Sequence, residues 1–304
     1  MNYVIGIDGG GSKTVGLFAK PDGTILSRAE ADGSNYHVVG ADRTKQILAD
    51  LIVALLDQAD VAPDSQIAYC LGMAGLGRES DQAVINNICD GIGLDRRRIL
   101  THDAEIALVG GLGKLEGVIL ISVTGAIAYG QTSDGRSARS NGWGHLLGDA
   151  GSGYFVGLQA LRAVVRAEDG RTQPTKIRDL VLSEIGLSTP KDLVAWTHGI
   201  SKGQIAYLSR IVFEVMESGD EVAKQIITRA ADELARSAQV VIDKLNLNPT
   251  PEVVLSGGVM LNQPVLVKMI QDRCPGIQTR LATNEPAYGA ILLAISAYFS
   301  DSGN

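Results

Sequence analysis

The sequence predicts an α/β protein built from two lobes that share one order of strands and helices. Residues 3–33 have the pattern of two strands joined by a glycine-rich turn and followed by a third strand, and helices then alternate with strands up to residue 112. A similar three-strand pattern restarts at residue 117 with turns in corresponding places, which indicates a duplicated fold. After residue 153, amphipathic segments predict that the second lobe is enriched in helices.

Composition and charge exclude several classes of function. The chain has 304 residues, of which 45% are hydrophobic and 20% charged, so it is long enough for two lobes with separate cores. A net charge of −7 without a basic run gives no support to nucleic-acid binding. No apolar stretch reaches the length of a membrane span, and the N-terminus has no basic region typical of a signal peptide, so we expect a cytoplasmic location.

The cysteines favour neither disulfides nor a zinc site. Cys70, Cys89 and Cys274 are scattered and form no C-x-x-C pattern. We therefore expect buried, reduced thiols.

Apolar periodicity predicts each element of the first lobe in turn. The opening strand is followed by a stretch rich in β-branched and apolar residues that Pro21–Gly23 interrupts, which predicts a β-hairpin. A helix over 41–60 follows from one apolar stripe, made of Ile47, Leu48, Leu51, Ile52, Leu55 and Leu56. The remaining predicted elements are a buried strand at 67–75, a helix at 79–93 and a strand from 97 that leads into a helix beginning near Asp103.

The second lobe continues with helices before it returns to strands. Amphipathic helices are predicted at 153–168, 174–186, 202–219 and 221–247, then a strand at 252–261, a helix at 263–274 and a final helix from 286. The glycine-rich stretch 110–117 suits a hinge. We therefore predict an N-terminal lobe of residues 1–112, joined by the C-terminal helix 286–304, and a C-terminal lobe of residues 113–285.

The segment GIDGGGSKT, residues 6–14, is close to two phosphate-binding fingerprints but matches neither. A Walker loop needs glycine directly before lysine, and Ser12 separates Gly11 from Lys13. A dinucleotide fingerprint needs glycine where Asp8 stands. Both devices also require a helix after the loop, whereas a second strand is predicted here.

Two glycine hairpins in two similar lobes predict that a loop from each lobe grips phosphates. Backbone N–H groups in such turns bind anions without a lysine. Asp8, at the end of the first strand, is the candidate ligand for Mg²⁺, directly or through water. Thr124 and Gly125 form the matching clamp of the second lobe. Gly257 and Gly258 follow a buried strand, where a purine or ribose can pack against bare backbone.

Seven segments occur in the order of a known family: GIDGGGSKT, GSNYHVVG, THDAE, ISVTGAIAYG, NGWGHLLGDAGSGYF, VVLSGGVMLN and PAYGAILLA. Together they resemble the N-acetylglucosamine kinase branch of the BadF/BadG/BcrA/BcrD-type ATPases, within the actin, Hsp70 and sugar-kinase superfamily. The resemblance spans essentially the whole chain, and NGWGHLLGDAGSGY is its most specific piece. It implies two ribonuclease-H-like lobes of β-β-β-α-β-α-β-α topology with a cleft between them.

The implied activity is ATP- and Mg²⁺-dependent phosphorylation of an amino sugar, such as N-acetylglucosamine, glucosamine or N-acetylmuramic acid. The implied partner is a small-molecule sugar, not a nucleic acid or a membrane. A homodimer is compatible with the resemblance, although the sequence leaves the oligomeric state open.

The resemblance also implies a role for individual residues. Asp103 matches the general base that accepts the proton of the sugar hydroxyl as it attacks the γ-phosphate. Asp8 matches the metal-associated acid. The nucleotide contacts correspond to a first clamp of Gly10, Gly11, Ser12 and Lys13, a second clamp of Thr124 and Gly125, and an adenosine loop of Gly257 and Gly258. The sugar contacts correspond to Asn35, Gly144, His145 and Asp149.

Three positions depart from the family pattern. The second clamp usually reads G-T-G-S, and here Val123 and Ala126 occupy its first and last positions. A valine would be strained if that position required a positive φ, so we predict an ordinary extended backbone at Val123 with the sharp bend at Gly125. Ala150 stands where the family commonly has glutamate.

Other interpretations stay open for several of these residues. Asp103 can be only a helix N-cap, Asp149 can cap the helix that starts near Ser152, and Asn35 can be a turn residue. His102 is interpreted as a packing residue, and Trp143 as pocket wall or core.

Other functions stay open as well. An ATPase that activates a dehydratase or reductase would need cysteines for an iron–sulfur cluster, and the scattered cysteines disfavour it. A sugar-sensing repressor would carry an added DNA-binding segment. A non-catalytic pseudokinase is the alternative that Val123 and Ala126 motivate.

Overall fold

The computed structural model describes residues 2–59, 65–94, 96–247 and 252–299. The chain forms two compact units, the first comprising residues 1–117 with 282–304 and the second residues 118–281. The boundaries predicted from sequence lie at 112 and 285, five and four residues away from these. The part of the predicted C-terminal helix beyond residue 299, like the predicted helical residue Asp60, lies outside the described residues.

The first unit contains a five-stranded sheet in the order β3-β2-β1-β4-β5. Its elements along the chain are β1 (Asn2–Gly9), β2 (Lys13–Ala19), β3 (Ile25–Asp32), α1 (Tyr36–Val39), α2 (Ala41–Ala59), β4 (Gln66–Met73), α3 (Glu79–Gly91), β5 (Arg98–His102), α4 (Asp103–Leu112) and, after the second unit, α13 (Pro286–Phe299). Strands β1, β4 and β5 are parallel, and β2 is antiparallel to both β1 and β3.

The second unit contains a sheet in the order β10-β9-β6-β7-β8. Its strands are β6 (Gly117–Ser122), β7 (Ala126–Gln131), β8 (Ser137–Asn141), β9 (Val253–Ser256) and β10 (Thr279–Leu281). Read from its other edge, the sheet has its first strand in the centre, its second and third strands on one side and its fourth and fifth on the other, which is the order of the first unit. The predicted duplication is therefore confirmed.

In the described part of the second unit, eight helices and a 3₁₀ turn lie between its strands. They are α5 (Gly153–Glu168), α6 (Ile177–Glu184), the 3₁₀ turn Pro190–Asp192, α7 (Leu193–Thr197), α8 (Lys202–Tyr207), α9 (Ser209–Glu217), α10 (Glu221–Leu245), α11 (Gly258–Asn262) and α12 (Pro264–Arg273). All but α11 and α12 fall between β8 and β9. The prediction that helices enrich this half of the chain is confirmed.

Both faces of the first sheet are buried, which explains why its central strands are almost continuously apolar. On one face, Ile5, Ile7 and Phe18 pack with residues of α2 and α3. On the other face, Val4 and Leu17 pack with residues of α4 and α13. Because successive residues of a strand point to opposite faces, neighbouring residues of β1 serve the two cores. The central strand β1 is thereby fixed from both sides.

Cys70 and Cys89 lie in these two cores, and Cys274 lies in the core of the second unit. Cys70, Cys89 and Cys274 are free and buried, as predicted, and burial raises the pKa of the Cys89 thiol to about 11. Among the described residues, no helix is long and apolar enough to cross a membrane.

Candidate active site

Two carboxylates of the first unit lie at the carboxyl edge of its parallel strands. In the strand register Asp8 is opposite Gly72, and Met73, the last residue of β4, is opposite His102, the last residue of β5. Asp103 follows directly as the first residue of α4. Ligands of open α/β sheets bind outside the carboxyl ends of strands, so this edge is the natural place for a site.

The surroundings of Asp8 disfavour the ionised form of its carboxyl group. Its side chain is partly buried, and no hydrogen-bond partner for it occurs among the residues described. Burial raises its pKa to about 7, and the nearby negative charge of Asp103 adds to that shift, while Lys13 opposes it. A carboxylate in this state is stabilised by a bound cation.

Asp103 is held from one side and open on the other. Its Oδ1 accepts the N–H of Ala104 at 2.9 Å and lies 2.7 Å from Nδ1 of His102. No described group hydrogen-bonds to its Oδ2. The residue in the N-cap position of α4 is His102, whose Nδ1 accepts the same N–H at 3.1 Å. The interpretation of Asp103 as the N-cap is therefore wrong, and His102 caps the helix and contacts Asp103 rather than merely packing.

The first glycine loop, residues 9–13, is a tight turn that uses one of its own amides. The N–H of Gly10 donates to the carbonyl of Lys13 at 3.0 Å, which leaves Gly10 without a free backbone donor. The N–H groups of Gly11 and Ser12 have no partner among the described residues, and both residues are exposed. Gly10 therefore shapes the turn, and Gly11 and Ser12 present the amides.

Residues 33–35 pack against this loop and hold it in place. The N–H of Ser34 donates to the carbonyl of Gly10 at 3.1 Å, and the hydroxyls of Thr14 and Ser34, both fully buried, bond at 2.8 Å. A Cβ on Gly33 would lie 2.4 Å from the carbonyl oxygen of Gly11, so only glycine allows this approach. The same contacts position the following residue, Asn35.

Asn35 occupies the N-cap of α1. Its Oδ1 accepts the N–H of His37 at 3.1 Å, and its Nδ2 has no partner among described groups. The turn after β4 lies against it, because a Cβ on Gly75 would be 3.2 Å from that Oδ1. Asn35 therefore has a structural role as a helix N-cap rather than as a turn residue, and it still offers an amide donor.

The second glycine loop, residues 122–126, is fixed mainly by backbone hydrogen bonds. The N–H of Val123 donates to the carbonyl of Gly125 at 2.8 Å, and the carbonyl of Val123 accepts the N–H of Gly153 at 2.8 Å. The hydroxyl of Ser122 donates to the carbonyl of Gly151 at 2.9 Å.

No residue of this bend has a positive φ. Val123 therefore avoids the strained positive φ, as predicted, but it belongs to the bend, which spans residues 123–125 rather than falling on Gly125 alone. The N–H groups of Thr124 and Gly125 and the hydroxyl of Thr124 have no partner within the described chain. The loop therefore presents three donors.

Asp149 lies behind the second glycine loop. Its φ is +57°, and its carboxylate interacts with the backbone amides of Ala126 and Gly144. Burial raises its pKa, and the two amides partly offset that shift. The helix α5 is capped by Ser152, whose hydroxyl accepts the N–H of Phe155 at 3.0 Å, so the interpretation of Asp149 as that cap is wrong.

The segment before Asp149, residues 143–148, is largely exposed. His145 packs edge-on against Tyr154 at 5.0 Å between ring centroids, and burial together with Lys202 lowers the pKa of His145. Trp143 is 64% exposed beneath the guanidinium of Arg139, which excludes it from the core. Lys202, the first residue of α8, acts electrostatically on both His145 and Asp149, and no motif in the sequence points to it.

The predicted adenosine loop has an open backbone. Gly257 has a φ of +96°, and a Cβ there would lie 2.3 Å from the carbonyl oxygen of Ser122. Gly258 is exposed at the start of α11, and a Cβ there would meet only Nδ2 of Asn262, at 3.9 Å.

The structure thus brings two groups of predicted residues together, one in each unit. The first unit assembles Asp8, the first glycine loop, Asn35 and Asp103. The second unit assembles the second glycine loop with Asp149, and Gly257 packs on that loop. Within the described residues, no group of three or more His, Cys, Asp or Glu side chains is placed to hold a metal ion.

Comparison with known proteins defines the class. The chain belongs to the BadF/BadG/BcrA/BcrD ATPase family, whose model matches residues 5–294. It is 36% identical to the N-acetylmuramic acid/N-acetylglucosamine kinase of Clostridium acetobutylicum, over 97% of this chain and 99% of that protein. It is 34% identical to the N-acetyl-D-glucosamine kinase of Dictyostelium discoideum, over 96% and 98%.

The fold comparison agrees with the family. The crystal structure of a provisionally assigned N-acetylglucosamine kinase from Chromobacterium violaceum superposes with a TM-score of 0.79 at 26% identity. The match covers 96% of this chain and 98% of that one.

Proposed function

We propose that this protein transfers the γ-phosphate of ATP to a hydroxyl group of an amino sugar, with N-acetylglucosamine as substrate. The observation that carries the proposal is the pair of carboxylates at one sheet edge, Asp8 without a partner and Asp103 with one open oxygen. The relatives at 34% and 36% identity, both named as kinases of N-acetylated amino sugars, support the substrate class.

Asp103 is assigned the role of general base. Its Oδ2 accepts the proton of the sugar hydroxyl, the hydroxyl oxygen forms a bond to the γ-phosphorus, and ADP leaves with the electrons of the broken bond. The hydrogen bond that Oδ1 accepts from the N–H of Ala104 holds the carboxylate in one orientation during this step. Asn35 supplies an amide donor to another sugar hydroxyl, and Gly144, His145 and Asp149 are assigned to the same sugar.

Asp8 fits Mg²⁺. A bound cation would balance a carboxylate that burial has deprived of water, and Mg²⁺ is usually held by one or two carboxylates together with phosphate oxygens and water. This coordination needs few protein ligands, which agrees with the absence of a larger ligand cluster among the described residues. When bound, Mg²⁺ neutralises negative charge on the phosphates.

The nucleotide contacts are assigned to free backbone groups. Gly11 and Ser12 in the first unit, and Thr124 and Gly125 in the second, offer N–H groups of the kind that bind phosphate oxygens. Lys13 adds a positive charge, and Gly10 shapes the turn. Gly257 and Gly258 are assigned to adenosine, because Gly258 leaves its backbone open to a flat ring.

A product assay tests this function. The purified chain is incubated with ATP and Mg²⁺ and with N-acetylglucosamine, glucosamine, N-acetylmuramic acid or glucose, while ADP release and phosphorus NMR of the sugar are followed together. We expect ADP release that depends on N-acetylglucosamine and yields a sugar phosphate in equal amount. ADP release without any sugar phosphate would instead favour an ATPase, and the proposal would be wrong.

A further inference from the structure

The turn that follows β4 lies against Asn35 and carries an arginine that the proposed reaction does not use. Gly75 of this turn contacts the side chains of Asn35 and His37, since a Cβ there would lie 3.2 Å and 2.8 Å from them. Arg78 follows three residues later, immediately before α3. The turn therefore adjoins the residue to which we assign a sugar hydroxyl.

Asp81 joins this turn to the segment that carries Asn35. Its Oδ1 accepts the hydroxyl of Tyr36 at 2.5 Å and lies 3.4 Å from Nε2 of His37. Its Oδ2 accepts the backbone N–H groups of Gly77 at 3.1 Å and Arg78 at 2.8 Å. The carboxylate is buried and fully engaged, so its role is to hold the turn and α1 together.

The guanidinium of Arg78 is left available by this arrangement. The side chain is exposed, and within residues 2–59, 65–94, 96–247 and 252–299 no carboxylate forms an ion pair with it, including the neighbouring Glu79. Its positive charge acts on the Tyr36 phenol and opposes the rise that Asp81 causes in the pKa of that group. The geometry that places Arg78 near this segment is Asp81, whose carboxylate accepts both the hydroxyl of Tyr36, the residue after Asn35, and the backbone N–H of Arg78.

We propose that Arg78 is a specificity residue that binds the carboxylate of an amino sugar bearing an ether-linked carboxylic acid beside the hydroxyl that Asn35 contacts. This rests on the proposed function. A guanidinium matches a carboxylate in shape and charge and can bind it through two parallel hydrogen bonds. A sugar without the acid leaves Arg78 in water at little cost, so one site accepts both the neutral and the acidic amino sugar.

Three sugars test the charge separately from the size of the substituent. They are N-acetylmuramic acid, its methyl ester, which has the same substituent without the charge, and N-acetylglucosamine, which has no substituent. The variant is Arg78→Gln, with Arg78→Lys as the conservative change. Arg96→Gln is the matched control, because Arg96 is also exposed but precedes β5 at the opposite edge of the sheet.

We expect Arg78→Gln to lower kcat/KM for N-acetylmuramic acid roughly 10- to 100-fold, mainly through KM, as for the loss of hydrogen bonds to a charged group. Arg78→Lys should retain part of the preference. For the ester and for N-acetylglucosamine the change should be smaller than about threefold, and Arg96→Gln should behave as the parent with all three.

Two results would overturn the inference while leaving the proposed function intact. One is a parent that phosphorylates N-acetylglucosamine but not N-acetylmuramic acid. The other is an equal loss on all three sugars in Arg78→Gln, which would give Arg78 a merely structural role. A parent that phosphorylates none of the three would contradict the proposed function itself.

Discussion

The two glycine loops follow the corresponding first strands of the two sheets but are held in different ways. The first, residues 9–13, depends on close packing, because Gly33 lies against the carbonyl of Gly11 with no room for a Cβ. The second, residues 122–126, has a similar close contact at its first residue, because a Cβ on Gly257 would lie 2.3 Å from the carbonyl oxygen of Ser122. Its bend is fixed by hydrogen bonds between Val123 and neighbouring backbone, and such bonds restrict the residue type less than packing does.

The carboxylates beside the two loops, Asp8 and Asp149, also differ in the contacts that hold them. Asp8 has no hydrogen-bond donor among the described groups, while Asp149 has the amides of Ala126 and Gly144. Burial raises the pKa of both, but two amides oppose that shift at Asp149, whereas at Asp8 the charge of Lys13 alone opposes it. We therefore expect the base and the metal-binding carboxylate in the first unit, while the second glycine loop offers the N–H groups of Thr124 and Gly125 and the Thr124 hydroxyl.

The largest expected effect concerns Asp103, for which the second unit offers no counterpart. Asp103→Asn should lower kcat by roughly 10² to 10⁴-fold with little change in the KM for sugar, because the amide keeps the shape but cannot accept the proton. Steady-state kinetics would measure it, with Asp57→Asn on the exposed side of α2 as a control. A kcat near that of the parent would remove Asp103 from the role of base.

The next largest expected effect is a difference in protein stability between substitutions of Asp8 and of Asp149. A pKa raised from 3.8 to about 7 means that folded Asp8 holds its proton where the unfolded chain has lost it, so its contribution to the unfolding free energy falls as pH rises from about 4 to about 7. Asp8→Asn should abolish activity with Mg²⁺ and ATP, yet stabilise the free protein by about 1 to 3 kcal/mol at pH 8.

Thermal unfolding at pH 5 and pH 8 would reveal this difference. The gain in Asp8→Asn should be larger at pH 8 than at pH 5, whereas Asp149→Asn should lose its contacts with two amides and show no comparable gain. An Asp8→Asn variant that is less stable than the parent at pH 8 would show that the carboxylate has a partner in the folded protein.

A pair of alanine substitutions tests how each loop is held. In Gly33→Ala the new Cβ meets backbone of Gly11 at 2.4 Å, so the first loop must shift. In Gly125→Ala it meets Oδ2 of Asp149 at 3.0 Å, the end of a side chain that can turn. We expect Gly33→Ala to cost about 1 to 3 kcal/mol of stability and Gly125→Ala less than half of that.

Chemical denaturation and ATP titration of the same two variants would measure both consequences. The affinity for ATP should fall more in Gly33→Ala, because the shift moves the free amides of Gly11 and Ser12. Equal losses in the two variants would contradict the distinction between a packed loop and a hydrogen-bonded loop.

The fold was predictable because the spacing of apolar residues over a long segment indicates which face of that segment is buried. The continuous apolar character of β1 and the single stripe of α2 each follow from the faces that they bury, and both elements occur where they were predicted. The exact boundaries of the units were harder to predict from sequence, because they depend on which strand the chain pairs with after residue 112. That pairing joins residues far apart in the chain, and no local sequence pattern indicates it.

The sequence could propose candidate site residues but not the contacts that hold them. The cap of α4 falls on His102 instead of Asp103, since a shift of one residue in the helix start changes which side chain reaches the free amides. The hydrogen bond between Tyr36 and Asp81 joins residues 45 positions apart. Gly10 illustrates a further limit, because its sequence position suggests a phosphate donor while its N–H already serves the turn.

The smallest expected effect concerns the two positions where the second loop departs from the family pattern. Val123 has no positive φ and is 45% exposed, so glycine is not required there. Ala126 is only 4% exposed and belongs to the core of its unit, so a serine hydroxyl would point among apolar side chains rather than toward a phosphate. The double variant Val123→Gly, Ala126→Ser should therefore change turnover by less than about tenfold and lower stability by about 1 to 2 kcal/mol, through the buried hydroxyl and the added backbone freedom. Turnover and urea unfolding of the double variant, compared with each single variant, would measure this. A rise in turnover of several orders of magnitude would mean that the loop restrains catalysis and that the natural protein is a lapsed kinase.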